Sequence, residues 1–92
     1  MKIVQSASFA KQLKKLYKNQ KIELDVVVAL IIQNPDIGTM KKGDLGGVRV
    51  YKFKMVDQLT LLAYSFDKGK LQLFLIALGS HENFYRDLIP NP

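Results

Sequence analysis

The feature that most constrains this chain is a set of three apolar segments in its second half, joined by connections long enough only for direct reversals. Val48 to Met55 alternates, with Tyr51, Phe53 and Met55 on one side and Lys52 and Lys54 on the other, the period-two signature of a strand with one covered face. Asp57-Gln58 turns the chain into Leu59 to Phe66, and Asp67-Lys68-Gly69-Lys70 is a hairpin turn leading into Leu71 to Leu78. The last two segments are apolar on both faces, which predicts strands interior to a sheet and covered on both sides. Three strands so closely connected form an antiparallel meander.

The first half has a different rhythm. Lys2 to Gln5 reads as a short opening strand. Ser6 or Ser8 is placed to cap a helix whose Phe9, Leu13, Leu16 and Tyr17 recur on one face, with Asn19-Gln20 breaking the run. Ile22 to Gln33 is ambiguous. Its valines and isoleucines favour a strand by propensity, whereas Leu24, Val27, Val28 and Ile31 form a helical stripe and Asn34-Pro35 is a helix stop. Asp36 to Gly47, with four glycines, reads as a loop. Glu82 to Leu88 has room for one or two helical turns before Pro90. The pattern predicts one α+β domain over residues 1–92, with the helices on one face of the sheet.

Composition narrows the chemistry. There is no cysteine and a single histidine, so a thiolate zinc site is excluded and a histidine metal site is not expected; no metal or cofactor is predicted. The longest apolar run, Val26 to Ile32, is seven residues, too short for a membrane span, and the N-terminus has no signal-peptide pattern. A cytoplasmic protein with no membrane contact is expected. The net charge of +6 is concentrated in Lys11, Lys14, Lys15, Lys18 and Lys21, and again in Arg49, Lys52 and Lys54, with Lys41 and Lys42 just ahead. Such clusters suit a phosphate backbone or an acidic protein, or form a solvated lysine face.

Three local motifs resemble one family. VYKFKM (Val50 to Met55) resembles the lysine-bearing strand of RelE, LLAYSF (Leu61 to Phe66) resembles the strand that follows it, and GSHENFYRDL (Gly79 to Leu88) resembles the end of the last strand in RelE-type nucleases, its GSH opening being especially similar to YafQ. With the order strand, helix, helix, meander and short terminal helix, the chain resembles the RelE/ParE superfamily of type II toxin–antitoxin toxins throughout its length. The resemblance implies that Ile22 to Gln33 is the second helix. It also implies a cognate antitoxin partner and one of two activities. One is ribosome-dependent cleavage of messenger RNA, without a metal, by an endoribonuclease (mRNA interferase) that inhibits translation. The other is ParE-like, non-enzymatic inhibition of DNA gyrase.

Metal-free RNA cleavage needs a base for the 2′-hydroxyl, an acid for the departing 5′-oxygen, and positive charge on the crowded phosphate. His81 has a side chain suited to proton transfer near neutral pH, and the resemblance makes it the general acid; on its own it reads first as a surface histidine capping the short helix with Ser80. Lys52 and Lys54 take catalytic phosphate-binding roles by resemblance, and either can assist as the base if its pKa is lowered, though alternating lysines also simply solubilise a strand. Tyr85 matches an aromatic that stacks on a base, while Phe84 packs the terminal segment. Arg86 is a plausible phosphate contact, and so is Arg49, although its parity is opposite to that of the two lysines. Asp57 can orient His81 or itself act as a base, by resemblance to YafQ, but its position reads first as forming the turn. One departure keeps the gyrase reading open: Leu59 and Thr60 stand where RelE carries an arginine early in the third strand of the meander.

Overall fold

The structure, a computed structural model, describes residues 1–43 and 46–80 of the 92. The chain opens with β1 (Lys2–Gln5), followed by α1 (Ala7–Lys14) and α2 (Lys18–Gln33). A two-residue strand β2 (Thr39–Met40) precedes the meander of β3 (Arg49–Met55), β4 (Gln58–Asp67) and β5 (Gln72–Ser80). These strands make one five-stranded sheet in the order β1-β5-β4-β3-β2. β1 lies parallel to β5 and every other pair is antiparallel. The helical hairpin carries the chain from β1 at one edge of the sheet to β2 at the other, and the meander then returns across it to set β5 beside β1.

Local chemistry sets the element ends. The Ser6 hydroxyl caps α1 by accepting the Phe9 N–H at 2.9 Å, and it donates to the carbonyl of Ile76. Ile76 is the residue left without a partner in β4 where the register shifts beside Ala63 and Tyr64. The cap therefore also satisfies a carbonyl at a β-bulge. The helix break falls earlier than the Asn19-Gln20 expected from sequence. Tyr17 is the N-cap of α2; its N–H donates to the Gln20 side-chain oxygen at 2.7 Å, and the Gln20 N–H donates to the Asn19 side-chain oxygen at 3.0 Å. Tyr17 is thereby removed from the buried stripe of α1 and stands 77% exposed.

The ambiguous segment is helical. Leu24, Val27 and Ile31 are buried against the sheet, with Val28 packed beside them, so the helical stripe outweighs β propensity. The turn between β3 and β4 is tighter than expected, with Val56 and Asp57 both at positive φ (50° and 67°) and Met55 paired to Gln58. That is a two-residue primed turn, which matches strand twist but strains a β-branched residue. The Val56 N–H donates to the Glu23 carboxylate, tying the turn to α2.

Among the described residues the core splits by face. Phe9, Leu24, Val27 and Ile31 of the helices meet Met55, Leu62, Tyr64, Leu73, Leu75 and Leu78 of the strands. Val50, Leu61, Ala63 and Ala77 form a separate buried group on the opposite side of the sheet, with no helical residue in it. The helices therefore lie on one face, as the pattern predicted. β4 and β5 are interior strands, also as predicted. No helix among the described residues is long and apolar enough to cross a membrane. The short helix expected at Glu82 to Leu88 lies outside the described residues.

Candidate functional site

The side of the sheet away from the helices is where the meander presents its lysines. Lys52 sits opposite Leu61 and Lys54 opposite Leu59, and cross-strand partners share a face. Both lysines are exposed, while Tyr51 and Phe53 stack on the helix side with ring centroids 6.0 Å apart. Two residues along a strand separate the lysine Cα atoms by about 6.8 Å. Their charges form a short cationic row beside the buried apolar group of Val50, Leu61, Ala63 and Ala77.

β2 extends this surface at its edge. Thr39 is opposite Val50, and the Lys41 N–H donates to the Val48 carbonyl at 2.9 Å, continuing the ladder one pair further. Thr39 therefore shares the face of Val50 and Lys52. Between β2 and β3 lies a cavity of about 450 Å³ lined by Ile37, Thr39, Lys41, Val50, Tyr51, Lys52 and Leu61. The sequence showed Lys41 and Lys52 as charges, but it did not show this cavity. Its walls come from separate strands, and β2 has no periodicity of its own to reveal it.

A buried corner holds β2 in place. The Tyr64 hydroxyl donates to the Pro35 carbonyl at 2.7 Å and accepts the Gly38 N–H at 2.9 Å. A Cβ on Gly38 would stand 2.8 Å from that oxygen, so glycine is required for the approach. Burial pushes the Tyr64 phenol above its usual 10.0, partly offset by the Gly38 N–H and the nearby Arg49 charge. Arg49 closes the corner with hydrogen bonds to the carbonyls of Gly38 (2.8 Å) and Asp36 (3.3 Å) and an ion pair with Asp36 (3.2 Å).

The expected site residues thus fall into three groups. Lys52 and Lys54 are brought together, both exposed, on the face away from the helices. Arg49 is not brought to them; it has the parity of Tyr51 and its guanidinium is engaged at the corner. Asp57 is exposed at the tip of the β3–β4 turn, where its left-handed backbone accounts for its place. His81, Tyr85 and Arg86 lie outside the described residues; β5 is described to Ser80, opposite Thr60 of β4. Among the described residues no cluster of three His, Cys, Asp or Glu side chains could hold a metal ion.

Comparison with solved structures finds this fold among bacterial toxins. The RelE toxin in the intact Escherichia coli RelBE toxin–antitoxin complex superposes with a TM-score of 0.69 at 20% identity, covering 86% of this chain and 94% of that one. A YoeB/ParE toxin from Agrobacterium tumefaciens gives 0.69 at 16% identity, covering 88% and 99%. A conserved hypothetical protein from Helicobacter pylori is 32% identical, with a TM-score of 0.59 and coverage of 89% and 96%. No match is found among curated proteins. Residues 3–89 match the family described as ParE-like toxins of type II bacterial toxin–antitoxin systems, which is nearly the whole chain. The chain belongs to that family, within the RelE/ParE superfamily of toxins.

Proposed function

We propose that this toxin arrests growth by cutting messenger RNA on the ribosome, with the open face of its sheet as the RNA surface. The observation that carries this reading is the pair Lys52 and Lys54, exposed side by side on the face the helices leave free. Their spacing suits successive phosphates of an extended strand, and fixed ammonium groups stabilise charge that builds on a phosphate in the transition state. In the reaction, the 2′-oxygen attacks phosphorus as its proton is taken up by a base. The bond to the 5′-oxygen breaks, and His81 supplies the proton to the leaving oxygen, giving a 2′,3′-cyclic phosphate and a 5′-hydroxyl. Tyr85 stacks on a base and Arg86 assists phosphate binding in this scheme.

RelE is found in an intact complex with an antitoxin. An antitoxin partner for this chain would be an acidic, amphipathic segment that folds over the open face, pairing with Lys52 and Lys54 and covering Val48 and Ile76 at the rim of the apolar group.

One observation favours the second reading, a ParE-like gyrase inhibitor. Leu59 is 39% exposed on the open face opposite Lys54, and Thr60 is buried, so no arginine is supplied by this part of β4. Induction in bacteria separates the two. Primer extension should map discrete cuts in translated messages, and these should disappear in His81→Ala and in the Lys52→Ala, Lys54→Ala double variant. DNA breaks and a DNA-damage response that persist unchanged in His81→Ala would establish the gyrase reading instead.

A further inference from the structure

We infer that the cavity between β2 and β3 is a nucleobase pocket that selects the base adjoining the phosphate held by Lys52. The inference rests on the RNA reading of the open face and gives that face a specificity element. The cavity, about 450 Å³, is in the size range of small-ligand sites. Ile37, 37% exposed, supplies the accessible aliphatic wall, while Val50 and Leu61, at 5% and 1%, close the cavity from below beside Lys52. Thr39 stands opposite Val50 at the edge, with a hydroxyl able both to donate and to accept.

This combination matches a flat ring with a polar edge and an attached phosphate. The ring face rests on aliphatic carbons, the edge meets the Thr39 hydroxyl, and the phosphate meets the Lys52 ammonium. An apolar side chain from a protein would fit the floor but would desolvate the threonine hydroxyl and the lysine without replacing their hydrogen bonds. A nucleotide satisfies all three.

The wall of the pocket is also held more rigidly than a two-residue edge strand would be alone. Tyr64 grips Pro35 and Gly38, and Arg49 grips Gly38 and Asp36, immediately before Thr39. Such support is what a selective site requires, because discrimination between bases depends on fixed donor and acceptor positions. The buried corner is accordingly a positioning device for Thr39.

The test uses the whole chain and short single-stranded RNAs with a 2′-deoxy sugar at the cut site, each compared with a version lacking one base. Binding is followed by fluorescence anisotropy. Removing one particular base should weaken binding about tenfold, the scale of a single stacked base. Thr39→Trp, which fills the cavity from an exposed position, should bind the intact and abasic RNAs alike. Thr39→Val should change which base is preferred at that position, both in binding and in the cut sites mapped on ribosome-bound messages. If abasic and intact RNAs bind the unaltered chain equally while binding stays salt-dependent, the pocket is refuted and the RNA face stands. If no RNA binds above inorganic phosphate and no cuts appear on ribosomes, the RNA reading fails and the pocket with it. If Thr39→Trp lowers affinity only for an acidic peptide, the cavity is a protein-docking site and the inference is wrong.

Discussion

On the helix side of the sheet, large side chains meet: Phe9, Leu24 and Ile31 close over Leu62, Tyr64 and Leu73, all at 2% exposure or less. On the other side, the buried group is Val50, Leu61, Ala63 and Ala77, smaller residues flanked by Lys52 and Lys54. The same strands build both faces, so the difference lies in what each face is asked to do. Large interlocking side chains stabilise through area and close packing. The smaller group is buried too, but the exposed lysines beside it cost little because water still reaches them. Among the described residues the fold thus places its helices and largest core side chains on one face and its exposed lysine pair on the other.

The largest effect that separates the faces should come from the helix side. Leu62→Ala should lower unfolding free energy by about 2–5 kcal/mol, the usual cost of a buried cavity, measured by urea denaturation. Loss of toxicity in that variant would follow from unfolding. A stability change below about 1 kcal/mol would contradict the assignment of Leu62 to the main core.

Tyr64 joins the two halves of the comparison, since its ring is in the core and its hydroxyl supports β2. Tyr64→Phe should cost about 1–3 kcal/mol, because the buried Gly38 N–H and Pro35 carbonyl lose their partner. The same residue has a pH signature. Its native pKa is raised above 10.0, so the folded state keeps a proton that the unfolded chain releases. That contribution to stability is complete below about pH 10 and is lost as pH rises toward the raised native value. Denaturation midpoints of the parent chain should therefore fall more steeply above about pH 10 than those of Tyr64→Phe.

A smaller effect of opposite sign is expected at the β3–β4 turn. Val56 holds a left-handed backbone that β-branched residues rarely adopt, so Val56→Asn should stabilise by about 1 kcal/mol in thermal or urea unfolding. The open face should give the smallest stability changes. Lys52→Ala with Lys54→Ala should move unfolding free energy by no more than about 0.5 kcal/mol each. In salt titrations of single-stranded RNA binding, the same pair should reduce the logarithmic slope by about 1.4, or about 0.7 for each phosphate no longer neutralised. An unchanged slope would remove these lysines from the RNA surface.

Much of this division was legible in the residues. Alternation in VYKFKM sent Tyr51 and Phe53 to the helices and Lys52 and Lys54 to the open face, because strand parity leaves no third choice. The stripe Leu24, Val27, Ile31 likewise named the buried face of α2. Elsewhere, long-range hydrogen bonds decided the outcome. The Asp36 to Gly47 segment has the composition of a loop, but Thr39 and Met40 are held as a strand by pairing with Arg49 and Val50 and by the Tyr64 corner behind them. The early end of α1 depended on Gln20 reaching back to Tyr17.

By itself, the sequence determined the three strands of the meander and their faces and carried the resemblance to the family, since periodicity and short turns are local properties. Tertiary structure decided where Arg49 spends its charge, that a bulge at Ile76 needs the Ser6 hydroxyl, and that Thr39, Lys52 and Leu61 surround one cavity. Those facts depend on residues far apart in the chain meeting with satisfied polar groups, and no local pattern encodes such a meeting.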